Sequence, residues 1–339
     1  MSIALLPWVR VVIVNYNAGP LLQACVNALA EQTMPAFEAV IVDNGSDAQP
    51  VSSLQLPDAR FRVDLVGANI GFAAGVNIGA RDNTCSWLAT LNPDACPKQD
   101  WLAELRAATE RYPRTRMFGS TQLDAADPGI VDGFGDLFSG FGVAWKAVGG
   151  RPTSELPQDD CEVFSPCGAA ALYASRTFAQ AGGFDESFFC YLEDVDLGFR
   201  LRLQGERCVQ VRRAEVLHIG SAVAGRMSQF SVFHSYRNRI WLIVKDVPWP
   251  LLPLVVLLNL PATVLPLFLR PQSYRLAALR GIWAGLAGLS GAARKRRDVQ
   301  ARRVVGSRDL ARMMLWNPLI KRTRVPTPVA LTHLSHNDR

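Results

Sequence analysis

Apolar positions concentrate first in VRVVIVNY, residues 9–16, a nearly continuous β-branched run of the kind found in strands covered on both faces. Gly19-Pro20 then opens LLQACVNALAEQ. Proline suits the first helical position, where its missing N–H has no partner to lose. A second apolar run, EAVIVD at 38–43, stops at Asp43 and the turn Asn44-Gly45-Ser46-Asp47, and a third strand is predicted within 61–66. The small residues of ANIGFAAGVNIGA predict the start of a helix. SWLATL at 86–91 predicts a fourth strand that ends before Asn92-Pro93-Asp94, and 98–112 spaces Trp101, Leu105, Ala108 and Tyr112 along one helix. Strand and helix alternating over short connections predict an α/β chain with a mostly parallel sheet and right-handed crossovers. Ligands of such sheets sit at the carboxyl ends of the strands, and Asp43 and Asp94 both fall on that edge.

Further along, the pattern weakens. Residues 115–160 are rich in Gly and Asp and are predicted to be mainly loops and short strands; CEVFSPCGAAALYA at 161–174 is a further buried segment. A helix is predicted from about Leu192 to Gln204, stopped by Gly205, with Asp194, Leu197 and Leu201 on a shared face, so that Asp194 begins an apolar stripe. CVQVRRAEVLHIG at 208–220 predicts one or two late strands. Residues 247–269 are uncharged between Asp246 and Arg270, long enough to cross a bilayer. Prolines at 248, 250, 253, 261 and 266 argue against one regular helix. Spanning, lying in the membrane, capping the domain and forming a homo-oligomer interface all stay open for this stretch. Residues 281–293 are too short to span and, with the Arg-rich stretch behind them, suit an interfacial helix. Residues 1–240 read as one catalytic-type domain and 241–339 as an apolar and basic appendage.

Charge sharpens the reading of the second half. The net charge of +6 is too modest to declare a nucleic-acid binder, and aromatics are not interleaved with the Arg run, so no nucleic acid is expected. From residue 294 to 324, however, eleven Lys and Arg face only Asp298 and Asp309. A basic stretch behind an apolar one is what an anionic membrane surface holds; a solvated polar face is the plain alternative. A composition 49% hydrophobic and 19% charged excludes disordered, collagen-like and coiled-coil chains. The seven cysteines form no CxxC, which fits ordinary buried thiols in a reducing compartment. MSIALLPWVRVV has no basic n-region, so no signal peptide is read there.

The candidate chemistry is acidic: Asp43, Asp94, Glu193-Asp194 and Asp196. Acidic residues in turns are commonly caps or solvated side chains, and only placement raises their weight. Asp43 ends a β-branched strand, a place suited to accept hydrogen bonds from a base or ribose. Asp94 follows a proline that stiffens its turn, where a carboxylate can hold a divalent cation against phosphate oxygens. Glu193-Asp194 open a helix, which favours their ionised forms, behind the aromatic residues Phe188, Phe189 and Tyr191. One carboxylate for a metal and another as base supply what a diphosphate leaving group and an incoming hydroxyl need. Other chemistries fit poorly: there is no HExxH, NYNAGP is not GxGxxG, and GFAAGVNIG lacks the Lys-Ser/Thr of a phosphate-binding loop.

VVIVNYN at 11–17, DNGSD at 43–47, NIGFAAGVNIG at 69–79, LNPD at 91–94 and GGFDESFFCYLEDVDLGFRLRLQG at 182–205 together resemble the inverting glycosyltransferase family 2, in its rhamnosyltransferase-like branch. His218-Ile219-Gly220-Ser221 and Tyr236-Arg237-Asn238 resemble two further elements of that branch, the second with different spacing. The likeness covers roughly residues 9–245. It implies a GT-A-type, Rossmann-like sheet, with a nucleotide-sugar half over about 1–115 and an acceptor half over 116–240. Val14, Asn15, Asn17 and Asp43 would hold base and ribose, with Asn69, Gly71, Phe72 and Asn77 beside the nucleotide. Asp94, in Asn92-Pro93-Asp94 rather than a pair of aspartates, would hold Mg²⁺ or Mn²⁺ on the diphosphate. Asp194 would be the catalytic base, and Glu193 would bind acceptor hydroxyls or orient the loop. For His218, metal ligation and a structural hydrogen bond are both open; for Arg237, a diphosphate contact and a plain helix surface. The implied activity is transfer of a sugar, rhamnose or a relative favoured, from a dTDP- or UDP-linked donor to a hydroxyl of a cell-envelope or polyprenyl-linked glycan, at the cytoplasmic face of the membrane. The alternative is a non-catalytic nucleotide-sugar or glycan-binding protein on the same fold.

Overall fold

The computed structural model describes residues 6–220 and 227–317 and the backbone of 329–330; Ser221 lies outside the described residues. The first part of the chain runs β1 (Val9–Asn15), α1 (Pro20–Ala30), β2 (Phe37–Asp43), β3 (Phe61–Leu65), α2 (Phe72–Gly79), β4 (Trp87–Leu91), β5 (Ala95–Pro97) and α3 (Trp101–Arg111). Every residue of β1 is buried, as its unbroken apolar run predicts. Strands β3, β2, β1 and β4 lie side by side and parallel. Their register sets Asn15 beside Asp43 at the carboxyl edge. Helix α2 presses onto β1: a Cβ on Gly75 would stand 2.7 Å from Val14 Cγ1, and one on Gly79 would meet Val12. Small residues there bring the 69–79 segment down over the strand end.

Beyond β4 the sheet becomes mixed. The chain continues through β6 (Met117–Asp124), β7 (Val131–Gly133), β8 (Asp136–Phe138), β9 (Ala144–Lys146), β10 (Cys161–Val163), β11 (Ala170–Ala174), α4 (Ser175–Gln180), α5 (Glu193–Leu203) and β12 (Cys208–His218). β11 enters antiparallel between β4 and β6, and β12 runs parallel to β6. The expectation of mainly loops and short strands over 115–160 is corrected at β6, an eight-residue strand buried over all but its last position. Its polar side chains conceal it in the sequence. Ser120 Oγ accepts from Trp101 Nε1 at 2.8 Å, Thr121 Oγ1 donates to the Arg212 carbonyl at 2.9 Å, and Gln122 Oε1 accepts from Lys146 at 3.0 Å. A polar strand can be central when its groups find such partners. Residues 208–218 form one strand, with a bulge between Val211 and Glu215.

The last part is helical: α6 (Gln229–Asp246), α7 (Leu252–Leu269), α8 (Gln272–Ala287), α9 (Leu289–Ala301) and α10 (Ser307–Met313), followed by β13 (Val329–Ala330) against β10. Position 240, the expected boundary, falls inside α6. α7 is a continuous helix although Pro261 and Pro266 lie within it. Each interior proline costs a ladder bond, and the contacts of Asn259 and Thr263 with Phe141 and Arg239 keep that stretch of α7 on the protein. The interfacial helix expected at 281–293 is instead split between α8 and α9, which meet at a 59° bend where Gly288 packs against the Trp241 ring.

α5 carries no single apolar stripe; ten of its eleven residues are buried, Asp196, Arg200 and Arg202 among them. Arg200 Nε donates to Asp196 at 2.9 Å, and Lys245 of α6, 2% exposed, bridges Asp196 and Asp185. Lys295 of α9 also reaches Asp185. A buried charge left without its partner is strongly destabilising. Lys245→Met is therefore expected to lower the unfolding free energy by about 3 kcal/mol or more, read from urea denaturation; a change near zero would show that Arg200 and Lys295 neutralise the cluster alone.

Candidate active site

The carboxyl ends of β1 and β4, the turn before β11 and the start of α5 meet at a cavity of about 430 Å³. Of the residues singled out from the sequence, Val14, Asn69, Gly71, Phe72, Asn92, Asp94, Glu193, Asp194 and His218 line it. Sheet register brings the two expected metal ligands together. β5 begins one residue after Asp94 and pairs antiparallel with the end of β12, Ala95 opposite His218, and the Ile219 N–H closes onto the Asp94 carbonyl at 3.1 Å. His218 Nε2 then stands 3.4 Å from Asp94 Oδ1. On its other side His218 Nδ1 donates to Asp132 at 2.8 Å, and Lys146 donates to the same carboxylate at 2.5 Å. Burial opposes a charge on His218, but the bonds to Asp132 and Asp94 hold its pKa above the ordinary value.

Asp194 is placed by backbone donors. Its Oδ2 accepts from Gly168 N–H at 2.7 Å and its Oδ1 from Val195 N–H at 2.8 Å. The Gly168 carbonyl in turn accepts from Thr90 of β4. Burial raises the Asp194 pKa, against those N–H donors. Glu193, buried and next to Asp194, is pushed up further, by burial first and then by that neighbour. Asp136 and Cys167 come within 4.8 Å of Asp194 as a cluster of ligand atoms. Burial and the Asp194 charge lift Asp136 to about 8, and burial pushes the Cys167 thiol up to about 12. Burial thus favours the neutral forms of Asp136 and Cys167, and a thiol is a poor ligand for Mg²⁺ or Mn²⁺. Asp94 and His218 fit such an ion better: an oxygen and an oriented imidazole nitrogen leave most positions for water and phosphate oxygens.

The segment leading into α5 is held in an unusual shape. Phe189, Tyr191 and Leu192, none of them glycine, have φ of 64°, 71° and 68°, a region that costs such residues energy unless surroundings impose it. Asn238, fully buried on α6, imposes it: its Nδ2 approaches the carbonyls of Phe188, Cys190 and Tyr191 at 2.9, 2.9 and 2.7 Å. The Phe189 carbonyl accepts from Ala73 N–H, and a Cβ on Gly71, whose own φ is 89°, would lie 2.5 Å from it. One segment thus joins the 69–79 loop to Asp194. Phe189 and Tyr191 face the cavity, whereas Phe188 is core, edge-on to Trp241.

Five expected residues do not line the cavity. Arg237 donates to the Phe188 carbonyl at 2.8 Å and stacks on Trp241, so it secures the 188–192 segment. Asn77 bonds both the N–H and the carbonyl of Phe184. Asn17 braces the Asp47–Gln49 backbone. Asn15 donates to Asp43 at 2.7 Å, and both bond Ser46, stiffening the turn after β2. Conversely, Tyr16, Asn44, Asp136, Trp145, Lys146 and Cys167 line the cavity without having been singled out. Tyr16 and Asn44 lie within the quoted VVIVNYN and DNGSD motifs; the others sit on short strands and turns that carry no periodic signal.

Comparisons with known proteins identify the family and the fold. A model of glycosyl transferase family 2 matches residues 10–125. An N-acetylglucosaminyl-diphospho-decaprenol L-rhamnosyltransferase of Mycobacterium tuberculosis is 30% identical over 241 residues, 64% of this chain and 77% of that protein. A low-salt glycan biosynthesis hexosyltransferase, Agl10, of Haloferax volcanii is 24% identical over 245 residues, 68% of this chain and 73% of that one. Among solved structures, GalNAc-T7 with UDP, GalNAc and Mn²⁺ aligns with a TM-score of 0.58 at 16% identity, over 73% of this chain and 49% of that one. A Pyrobaculum calidifontis mannosyltransferase with GDP-Man and Mn²⁺ aligns at 0.52 and 17% identity, over 91% and 84%. These structural likenesses establish the fold, and with the rhamnosyltransferase relative and the matched motifs they lead to one conclusion: the chain belongs to glycosyltransferase family 2, in its rhamnosyltransferase-like type, and has the GT-A fold.

Proposed function

We propose that the chain is an inverting glycosyltransferase that moves a sugar, rhamnose or a relative favoured, from a dTDP- or UDP-linked donor to a hydroxyl of a lipid-linked or cell-envelope glycan at the cytoplasmic face of a membrane. The observation that carries this reading is a single cavity that gathers a metal-suited pair, Asp94 and His218, and a separately held carboxylate, Asp194. Asp94 and His218 would hold Mg²⁺ or Mn²⁺, and such an ion would supply positive charge to the donor diphosphate. The acceptor oxygen attacks the anomeric carbon as its proton passes to the Asp194 carboxylate; the bond from that carbon to the diphosphate oxygen breaks, and the configuration inverts in one displacement. The Gly168 and Val195 N–H groups fix the carboxylate's direction, while burial keeps it basic enough to accept the proton. Asn69, Gly71 and Phe72 lie beside the nucleotide, and the Asn15–Asp43–Ser46 bonds keep the adjoining turn rigid. The relative's decaprenol-linked substrate supports a lipid-linked acceptor, and the basic, apolar C-terminal region supports an anionic membrane as partner.

Asp194→Asn is expected to reduce transfer by about 10²–10⁴-fold while donor affinity, read by calorimetry, stays nearly unchanged, because a base acts mainly in the transition state. Donor binding by the parent chain with no turnover on any acceptor would favour the non-catalytic reading.

The pH profile follows from the direction of the Asp194 shift. A base works ionised, and one with a raised pKa loses that form as pH falls through the raised value. The acid limb of kcat/KM should therefore lie above the ordinary aspartate value of about 3.9; a limb at or below it would contradict the buried base.

Asn238→Asp keeps size but replaces the amide donor with a carboxylate facing carbonyls. It is expected to lower kcat by about ten-fold or more and to raise hydrogen exchange in 188–193, with little change in donor affinity. Unchanged exchange would show that the segment holds its shape without Asn238.

A further inference from the structure

Helices α7 and α8 are each held on the protein along a stripe on one side and largely exposed along the other. On α7 the stripe is Val255, Asn259 and Thr263, one turn apart. Asn259 donates to the Phe141 carbonyl at 2.6 Å, Thr263 donates to Asn259 at 2.8 Å, and Arg239 of α6 donates to Thr263 at 2.9 Å. Taken whole, α7 is apolar, with a mean hydropathy of 2.1, and only 11% of its residues are buried. On α8 the stripe is small: Ala277, Ala278, Gly281 and Gly285 are buried against α6, and a Cβ on Gly281 would collide with the Phe233 carbonyl. The opposite positions Leu276, Leu279, Trp283 and Leu286 are 48–75% exposed. Of the 22 large apolar side chains exposed among the described residues, 13 lie between Trp249 and Leu286. That concentration far exceeds the scattered singles of an ordinary surface.

We infer that α7 and α8 lie flat in the headgroup–acyl boundary of an anionic bilayer, as a two-helix seat, and that α7 does not cross it. This rests on the membrane named above as partner and adds the mode of contact. A crossing helix has hydrocarbon or other membrane helices around its middle. The middle of α7 is bonded instead, through Asn259 and Thr263, to Phe141 and Arg239 of the body that bears the cavity. Arg270, Arg275 and Arg280 are exposed beside the apolar positions. Two-fold pairing with a second copy would bring these like charges near one another, whereas anionic headgroups complement them. The seat is also tied to the active site: α6, against which α8 packs, contributes Phe230 and Ser235 to the cavity wall. A lipid-borne acceptor would thus meet the cavity from the same surface.

The test uses the full chain. Flotation with phosphatidylglycerol-containing vesicles and with pure phosphatidylcholine vesicles reads the surface. The protein is expected to float with the former, and Leu279→Glu with Trp283→Glu is expected to cut that fraction by about ten-fold while leaving the melting temperature and donor binding unchanged, since both side chains are exposed. Pro250→Cys and Gln272→Cys, at the two ends of α7, are then probed with a membrane-impermeant maleimide, using the parent chain to correct for native thiols. Both ends should be silent in spheroplasts of a bacterial host and both labelled in inverted vesicles from the same cells. Labelling of one end in spheroplasts would overturn the flat arrangement while keeping the membrane partner. No flotation with either vesicle, with a dimer abolished by the double variant, would overturn both and assign the face to a second copy.

Discussion

The structure turns on the burial of a charged helix. α5 opens with Glu193 and Asp194 and continues through Asp196, Arg200 and Arg202, a sequence suited to water, yet the sheet and the C-terminal helices enclose it on nearly every side. Ion-pair partners sustain that enclosure: Arg200 and Lys245 on Asp196, Glu162 and the Val163 and Phe164 carbonyls on Arg202, and Lys245 and Lys295 on the neighbouring Asp185; Glu193, whose buried Oε2 meets no hydrogen-bond partner among the described residues, is instead pushed toward its neutral form by burial. α6 and α9 are therefore part of what makes the Asp194 environment possible. Removing water from around α5 also raises the pKa values of Glu193 and Asp194, so the same burial that demands the salt bridges raises the proton affinity of the proposed base.

Placement around that helix follows from backbone geometry more than from side-chain attraction. The Ala95–His218 register brings His218 to Asp94, and Asp132 with Lys146 turns the imidazole's other nitrogen toward the cavity. Gly168 ties Asp194 to β4 through Thr90. The left-handed residues between Phe188 and α5 are the costly element, and Asn238 and Arg237 meet that cost with amide and guanidinium donors on its carbonyls. Each of these arrangements spends flexibility to hold two carboxylates in different surroundings, one near an imidazole and one on backbone N–H groups.

Much of the first half was legible because parallel strands buried on both faces write themselves as apolar runs. β1 to β4 and α3 lie where periodicity predicts, and Asp43 and Asp94 fall on the expected edge. β6 was not legible, since Ser120, Thr121 and Gln122 look like loop residues until Trp101, Arg212 and Lys146 are in place. Asp132, Asp136 and Lys146 sit on three-residue strands, too short for any period to show. For Arg237 the sequence leaves a diphosphate contact and a plain helix surface both open, and residue type does not reveal that a carbonyl of a left-handed segment takes it. Proline rules count local bonds only and so predict an interruption in α7, whereas its contacts at Asn259 and Thr263 are tertiary.

Anomalous diffraction from crystals grown with Mn²⁺ and a nucleoside diphosphate would separate the roles proposed for Asp94 and Asp194. A manganese peak is expected within ligand distance of Asp94 and His218, with the Asp194 carboxylate free of metal. A peak instead among Asp136, Cys167 and Asp194 would contradict those roles, because a carboxylate bound to the ion cannot also take the acceptor's proton.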